Sequence, residues 1–205
     1  MPSAPLLPLF PLEVVLFPGT KLPLHIFEPR YRLMVGKAAE AKTEFGVVLA
    51  HEGKLADTGC TALVEQITQR FEDGRFNVET AGSRRFTLSA LDESEPYLQG
   101  AVEYFEDDED SAAKPADVEE VFGLAQQVAN ALRSPLSPID PSHPMLSFHL
   151  AAALPLDLAF KQQLLRERSE AERLKELASQ LTLMTERIAK NRTAQRLAGT
   201  NGQPR

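Results

Sequence analysis

The sequence contains no tryptophan and only one cysteine, Cys60, in 205 residues. A single cysteine cannot form an internal disulfide, so this composition is typical of a protein in a reducing compartment. No apolar run reaches the roughly 20 residues of a membrane-spanning helix. The proline-rich N-terminus also lacks the basic segment that opens a secretory signal. Together these absences predict a soluble, cytoplasmic protein.

Sequence motifs for nucleotide binding and nucleophilic catalysis are also absent. Neither Gly36-Lys37 nor Gly53-Lys54 has a glycine five positions before its own glycine, so neither forms a phosphate-binding loop. Cys60 has no base among its sequence neighbours, and Ser83 lacks the second glycine of a nucleophile elbow. We therefore predict no catalytic residue and no cofactor.

The histidines do not form a metal-binding pattern. The four are scattered, with no H-E-x-x-H motif: His25, His51, His143 and His149. The last two lie near one short helix, and their spacing of six is expected to point them to different faces. The carboxylates from Asp107 to Asp110 provide only a weak cation site in a flexible segment. No metal ligand is predicted.

The net charge of −7 is unevenly distributed along the chain. Nine acidic residues and one lysine lie between Glu103 and Glu120, and like charges at this density predict a mobile linker or a solvated loop. All charged residues after Glu186 are basic: Arg187, Lys190, Arg192, Arg196 and Arg205. Such a cluster complements the negative end of a helix dipole and keeps a tail solvated. A nucleic-acid binder carries its basic footprint across the folded domain, so we do not expect nucleic acid as a partner.

The pattern of the first 106 residues is that of strands. Seven prolines interrupt short apolar runs within the first 30 residues, and Pro18-Gly19 fits the centre of a type II turn. Pro29 suits the first turn of an early helix. From Phe45 the apolar residues follow strand patterns, with a hairpin turn at 72–75. Roughly seven short strands favour a barrel or sandwich.

The pattern beyond the acidic segment is helical. Apolar residues from Val118 to Leu132 share one face, a short helix follows around Leu146, and another begins near Asp157. Ser169-Glu170-Ala171-Glu172 has the form of a capping box. In the last helix the seam is spaced 3, 4, 3, 4 by Leu174, Leu177, Leu181, Met184 and Ile188. It spans barely two heptads, so packing within the lobe is the favoured interpretation, and docking on another protein stays open.

Two N-terminal segments carry a resemblance to a known family. Leu6-Pro-Leu-Phe-Pro-Leu-Glu-Val-Val-Leu-Phe-Pro-Gly and Leu22-Pro-Leu-His-Ile-Phe-Glu-Pro-Arg-Tyr-Arg are similar to the opening of the Lon protease substrate-binding domain. Further motifs follow in family order: Phe45-Gly-Val-Val, Gly59-Cys-Thr-Ala, Gly82-Ser-Arg-Arg-Phe, Leu154-Pro-Leu and Lys161-Gln-Gln-Leu-Leu. The resemblance covers nearly the whole chain.

This resemblance implies an α+β fold, in which a PUA-like β pseudo-barrel precedes an α-helical bundle. The expected division is a β-rich lobe at 1–106, an acidic linker at 107–117, a helical lobe at 118–198 and a disordered tail at 199–205. The chain is expected to be a stand-alone form of the domain, without the ATPase and Ser-Lys peptidase of Lon.

The implied function is non-catalytic recognition of unfolded or apolar polypeptide segments, with an adaptor role in protein quality control beside a protease or chaperone. The candidate peptide-binding residues lie together at a strand-to-helix corner: Phe27, Glu28, Arg30, Tyr31 and Arg32. In one interpretation Phe27 and Tyr31 belong to the core and a charge pair holds the helix. In the other, an aromatic floor takes an apolar side chain and Arg30 takes a backbone or acidic group.

Three other interpretations of the sequence stay open. The proline strands offer an edge for strand addition by a peptide. PUA-like barrels are often RNA-binding, although the acidic balance argues against it here. An unrecognised enzyme using a cleft between the lobes is the third.

Overall fold

The computed structural model describes residues 6–109 and 112–200, with side chains described as far as residue 191. The chain divides into two compact units. The first comprises Met1–Asp107 and Pro155–Arg168, and the second comprises Asp108–Leu154 and Ser169–Arg205. Within the described ranges no helix is long and apolar enough to cross a membrane.

The first unit is built on a mixed six-stranded sheet. Its strands are β1 (Leu7–Leu12), β2 (Lys21–Ile26), β3 (Phe45–His51), β4 (Lys54–Arg70), β5 (Phe76–Asp92) and β6 (Gln99–Phe105). The strand order is β2-β5-β4-β3-β1-β6, and β5 pairs with β6 as well, which closes five strands into a ring. Only β1 and β3 pair in parallel. The barrel implied by the family resemblance is thus present, and the predicted α+β class is confirmed.

Two predicted strands merge into the single long strand β5. The apolar pattern predicts two separate strands here, Phe76–Thr80 and Arg84–Leu91, but the chain stays extended through Gly82. A Cβ atom at this position would lie 2.1 Å from the carbonyl oxygen of Phe17, so the close approach of two backbones requires glycine.

The predicted type II turn at Pro18-Gly19 lies beside Gly82. Gly19 has φ +72°, and the N–H of Thr20 donates to the carbonyl of Phe17 at 3.2 Å. The apolar run Val14–Phe17 predicts another short strand, but this segment leads into the turn and forms none.

Helices α1 (Pro29–Ala41) and α4 (Leu158–Arg166) belong to the first unit. As predicted, α1 has proline in its first turn. In α4, Asp157 is the N-cap and accepts a hydrogen bond from the N–H of Ala159 at 2.8 Å. The amide of Gln162 donates to the carbonyl of Thr58 at 2.8 Å, which joins the helix to β4.

The second unit is helical. It contains α2 (Pro115–Leu132), α3 (Leu146–Ala153) and α5 (Glu170–Thr200). Leu174, Leu177 and Leu181 are completely buried where α5 packs on α2 and α3, so this part of the predicted seam packs within the unit. One of the two hydrogen bonds of the predicted capping box is present: the Ser169 hydroxyl accepts from the N–H of Glu172 at 3.3 Å.

The observed division differs from the predicted boundaries at three places. Residues 155–168 were placed in the helical lobe, whereas the structure groups them with the β-rich unit. Residues 115–117 of the predicted linker belong to α2, which begins at Pro115. Residues 199 and 200 of the predicted tail are helical, and 201–205 lie outside the described residues.

Candidate functional site

Phe27 follows the end of β2 and leaves 57% of its surface exposed, the largest fraction among the exposed large hydrophobic residues. Its ring stacks on the imidazole of His25, with centroids 5.9 Å apart. The imidazole of His25 also contacts Phe71 edge to face, with ring centroids 5.8 Å apart. We call His25, Phe27 and Phe71 the ring surface. An exposed aromatic group supported by neighbouring rings is a typical anchor for binding.

The ring surface rests on the end of β2 and on the hairpin that joins β4 to β5. His25 lies opposite Asn77 of β5, and their side chains are joined at 2.6 Å between Nδ1 and Oδ1. Phe71 precedes the turn at 72–75, where the N–H of Gly74 donates to the carbonyl of Phe71 at 3.0 Å. Gly74 has φ +84°, as this tight turn requires. The rings are therefore held by regular backbone structure and not by a loose loop.

The predicted residue Tyr31 belongs to the core. It is buried and stacks on Phe10 of β1, with ring centroids 4.1 Å apart. Burial raises the pKa of its hydroxyl. The two aromatic residues of the predicted corner thus separate: Tyr31 lies in the core, and Phe27 projects outward.

Glu28 and Arg30 form the predicted charge pair. Arg30 Nη2 lies 2.8 Å from Glu28 Oε2, and the guanidinium also lies over the Tyr31 ring at 4.7 Å from its centroid. Both side chains are partly exposed, so the pair contributes little to stability and Arg30 can exchange its partner for one on a ligand.

Arg32 connects the start of α1 to the hairpin. Its Nη1 donates to the carbonyl of Asp73 at 2.7 Å. Within the hairpin, the backbone N–H and the guanidinium of Arg75 both bind the Asp73 carboxylate, and the backbone hydrogen bond holds the pKa of Asp73 below its usual range. Arg75 also lies over the Phe71 ring at 5.3 Å from its centroid. The ring surface is therefore bordered by arginines.

The free edge of β2 is the alternative place for a peptide. Among the described residues β2 pairs with β5 alone, so its other edge has no strand. However, Pro23 lies in the middle of β2, and proline in a sheet usually turns its missing N–H toward the open edge. Proline at this place is a known protection against strand addition. The ring surface is thus the better candidate.

A concave region of about 250 Å³ lies beside the end of α4. Thr58, Thr87 and Glu103 line it from three neighbouring strands, and Arg166 and Arg168 line it from the helix side. The guanidinium of Arg166 already pairs with Asp57 at 2.6 Å, and Arg168 donates to the carbonyl of Glu106 at 2.9 Å. Its cations are engaged with the protein itself, so this region offers less to a ligand.

Cys60 is buried, and burial raises its pKa to about 12. A thiol in this state is a poor nucleophile. Among the residues that the structure describes, no three His, Cys, Asp or Glu side chains converge as a metal site would require.

One expectation about the histidines was wrong. The rings of His143 and His149 contact each other, with centroids 4.3 Å apart. His143 precedes α3, so the helical spacing that was used to separate the two rings does not apply to it.

Sequence reasoning missed His25, Phe71 and Arg75 as parts of the surface. His25 lies two positions before Phe27, near the end of β2. Phe71 and Arg75 are 44 and 48 positions away, and the pairing of β2 with β5 and of β5 with β4 brings them near Phe27. The signal that was available is the hairpin sequence Phe71-Glu-Asp-Gly-Arg75, in which an aromatic residue and an arginine flank the turn.

Known proteins similar to this chain are Lon proteases. The family model described as the ATP-dependent protease La (LON) substrate-binding domain matches residues 6–182. A Lon protease of Parabacteroides distasonis is 35% identical over 109 residues, which is 49% of this chain and 13% of that protein. One from Roseiflexus castenholzii is 32% identical over 211 residues, covering 92% of this chain and 25% of that protein. The chain thus spans a quarter or less of the length of these curated relatives.

Solved structures show the same fold. The crystal structure of a Lon N-terminal domain protein from Xanthomonas campestris has a TM-score of 0.68 and 28% identity, and the match covers 86% of this chain and 98% of that one. The N-terminal domain of the Mycobacterium avium complex Lon protease has a TM-score of 0.59, covering 87% of this chain and 98% of that one. At 18% identity this second likeness concerns the fold alone.

Proposed function

Because the chain belongs to the ATP-dependent protease La (LON) substrate-binding domain family, we propose that it is a non-catalytic module that binds unfolded or apolar polypeptide segments. The matched region is a substrate-recognition domain, and no catalytic domain is matched. In the cell the module would present such segments to a protease or chaperone as an adaptor.

One observation supports this function most directly: the exposure of Phe27 on a rigid support. An aromatic ring that is 57% exposed keeps apolar surface in contact with water, which is unfavourable. A bound apolar side chain would cover that surface. Of the predicted residues, Phe27 would make this contact and Arg30 would meet polar groups of the segment. Glu28 and Arg32 would hold the corner in place, and Tyr31 would anchor it from the core.

The test is binding of a permanently unfolded model polypeptide, such as reduced and carboxymethylated lactalbumin, measured by fluorescence anisotropy. Phe27→Ser removes the exposed ring, and we expect it to weaken binding about tenfold or more, as loss of an aromatic anchor does. Leu91→Ser is the matched control, since Leu91 is 51% exposed near the opposite end of β5. Equal binding by the parent and Phe27→Ser would reject this surface.

Single-stranded RNA is the competing ligand, because rings and arginines also stack on bases. The same titration with an unstructured oligonucleotide separates the two. Binding of RNA with no binding of the unfolded polypeptide would replace the proposed function with RNA recognition.

A further inference from the structure

We infer that His25 recognises the backbone of a bound polypeptide segment by accepting a hydrogen bond from one of its N–H groups through Nε2. This inference rests on the proposed function and names the group that is recognised beside the apolar anchor. It follows from a chain of hydrogen bonds across three strands, which decides which nitrogen of His25 carries the proton.

Three side chains on one face of the sheet are joined in a row. His25 of β2 lies opposite Asn77 of β5, and Asn77 lies opposite Gln69 of β4. The amide nitrogen of Asn77 donates to Oε1 of Gln69 at 3.2 Å. The amide oxygen of Asn77 lies 2.6 Å from Nδ1 of His25. An amide oxygen only accepts hydrogen bonds, so Nδ1 of His25 is the donor in this contact.

The proton on Nδ1 leaves Nε2 of the neutral imidazole as an acceptor. His25 is exposed, and no group in the described part of the chain donates a hydrogen bond to its Nε2. The stacked ring of Phe27 and the edge contact with Phe71 hold the plane of the imidazole. His25 therefore offers a fixed acceptor beside the exposed ring of Phe27.

Gln69, at the other end of the row, offers the complementary donor. Its Oε1 is occupied by Asn77, and its Nε2 donates to no group among the described residues. Neighbouring strands are about 4.8 Å apart, so His25 and Gln69, which lie two strands apart, are separated by roughly 10 Å. An extended segment repeats its N–H and C=O groups on one side about every 7 Å. A segment that lies across the strands and donates to His25 thus brings a carbonyl within reach of Gln69.

A backbone N–H is the donor that this acceptor meets in every polypeptide. The amide nitrogen of a residue is two bonds from its Cβ, so a residue whose side chain covers Phe27 brings its own N–H toward His25. The centroids of these two rings are 5.9 Å apart. Apolar contact supplies most of the affinity, and hydrogen bonds to the main chain add to it without selecting a sequence. One small surface can therefore accept many different unfolded segments.

The experiment uses the full chain and two labelled peptides of glycine with one central phenylalanine, measured by fluorescence anisotropy. The first peptide has ordinary amide bonds. In the second, ester oxygens replace the N–H groups of the phenylalanine and of the residue on each side, which removes the donors and keeps the extended shape. We expect the parent protein to bind the ester peptide about fivefold more weakly, since one neutral hydrogen bond contributes a factor of about 2 to 12.

Substitution of His25 tests whether this residue accepts the hydrogen bond. His25→Phe keeps a ring beside Phe27 but has no acceptor. Its affinity for the amide peptide should fall about fivefold, and its affinity for the ester peptide should equal that of the parent. His51→Phe is the matched control, because His51 is 45% exposed and pairs with Lys54, at the opposite end of β4 from Gln69. This control should keep the parent's preference, and thermal unfolding checks that both variants are folded.

The outcomes separate this inference from the proposed function. A preference for the amide peptide that disappears in His25→Phe and persists in His51→Phe supports the inference. Equal affinity of the parent for both peptides, with both weakened in Phe27→Ser, overturns the role of His25 and leaves the proposed function in place. A preference that survives in His25→Phe also overturns that role. If neither peptide nor the unfolded polypeptide binds, the proposed function fails and the inference fails with it.

Discussion

The guanidinium of Arg85, on β5, donates a 2.6 Å hydrogen bond to the backbone carbonyl of Glu167, the residue after α4. The two residues are 82 positions apart. The same guanidinium donates to the carbonyl of Leu165 at 3.2 Å and pairs with Asp107, and its side chain is only 4% exposed. A cation at this place binds the carbonyls that a helix C-terminus leaves unpaired. This contact joins residues 155–168 to the β-rich unit.

Arg85→Met should therefore detach the end of α4. It leaves two carbonyls and the partly buried Asp107 without this partner, and we expect a loss of about 3 kcal/mol of unfolding free energy. Urea unfolding measures the loss, and hydrogen exchange of the α4 amides locates it.

The neighbouring Arg84 is the matched control for this substitution. Its side chain is 53% exposed, pairs with Glu44 and lies over the Tyr104 ring. Arg84→Met should cost no more than about 1 kcal/mol. If the two variants unfold at the same urea concentration, Arg85 does not hold the segment.

Two glycines should respond to alanine in opposite directions. At Gly82 the added Cβ would clash with the carbonyl oxygen of Phe17, a backbone atom that cannot rotate away as a side chain can. We therefore expect Gly82→Ala to destabilise the protein by about 3 kcal/mol. Gly36 lies inside α1 with no neighbouring atom within 4 Å of the added Cβ. Gly36→Ala should stabilise by about 0.5 to 1 kcal/mol, through higher helix propensity. Urea unfolding of both variants checks the signs, and a stable Gly82→Ala protein would contradict the close approach.

His149 should make stability depend on pH. Burial, together with the neighbouring His143, lowers the pKa of His149 below its ordinary value of 6.5. The unfolded chain then binds a proton at a higher pH than the folded protein. The contribution of His149 to the unfolding free energy is therefore fully present above pH 6.5 and is lost progressively as the pH falls below that value.

The measurement for His149 is the unfolding free energy between about pH 7.5 and 5 for the parent and His149→Gln. The variant should show a shallower decline over this interval. A parent slope retained in His149→Gln would show that other groups cause the pH dependence.

Cys60 should be protected from thiol reagents in the folded protein. With its pKa at about 12, about one thiol in ten thousand is ionised at pH 8, and the residue is buried. We expect Ellman's reagent to react slowly with the native protein and at once after unfolding in urea. A cysteine introduced at the exposed position 91 in a Cys60→Ala background is the positive control. Rapid reaction of the native parent would mean that the barrel opens readily.

The sequence by itself determined the order and type of most elements. The Pro18-Gly19 turn, Pro29 in the first turn of α1 and the helix cap by the Ser169 hydroxyl lie where predicted, because turn and cap chemistry depends on a few adjacent residues. The strand-rich start, the helical remainder and the corner around Phe27 also followed from local patterns and from the family resemblance.

Tertiary structure decided which surfaces are covered. The sequence left open whether Phe27 and Tyr31 share the core, and packing buries Tyr31 against Phe10 while Phe27 stays exposed beside His25 and Phe71. Likewise, the helical pattern of 158–166 indicates an apolar face, but long-range hydrogen bonds, from Arg85 to the end of the helix and from Gln162 to β4, assign that helix to the barrel. Periodicity reports which side of an element is apolar. The partner of that side is set by strand pairing and by hydrogen bonds between residues far apart in the sequence.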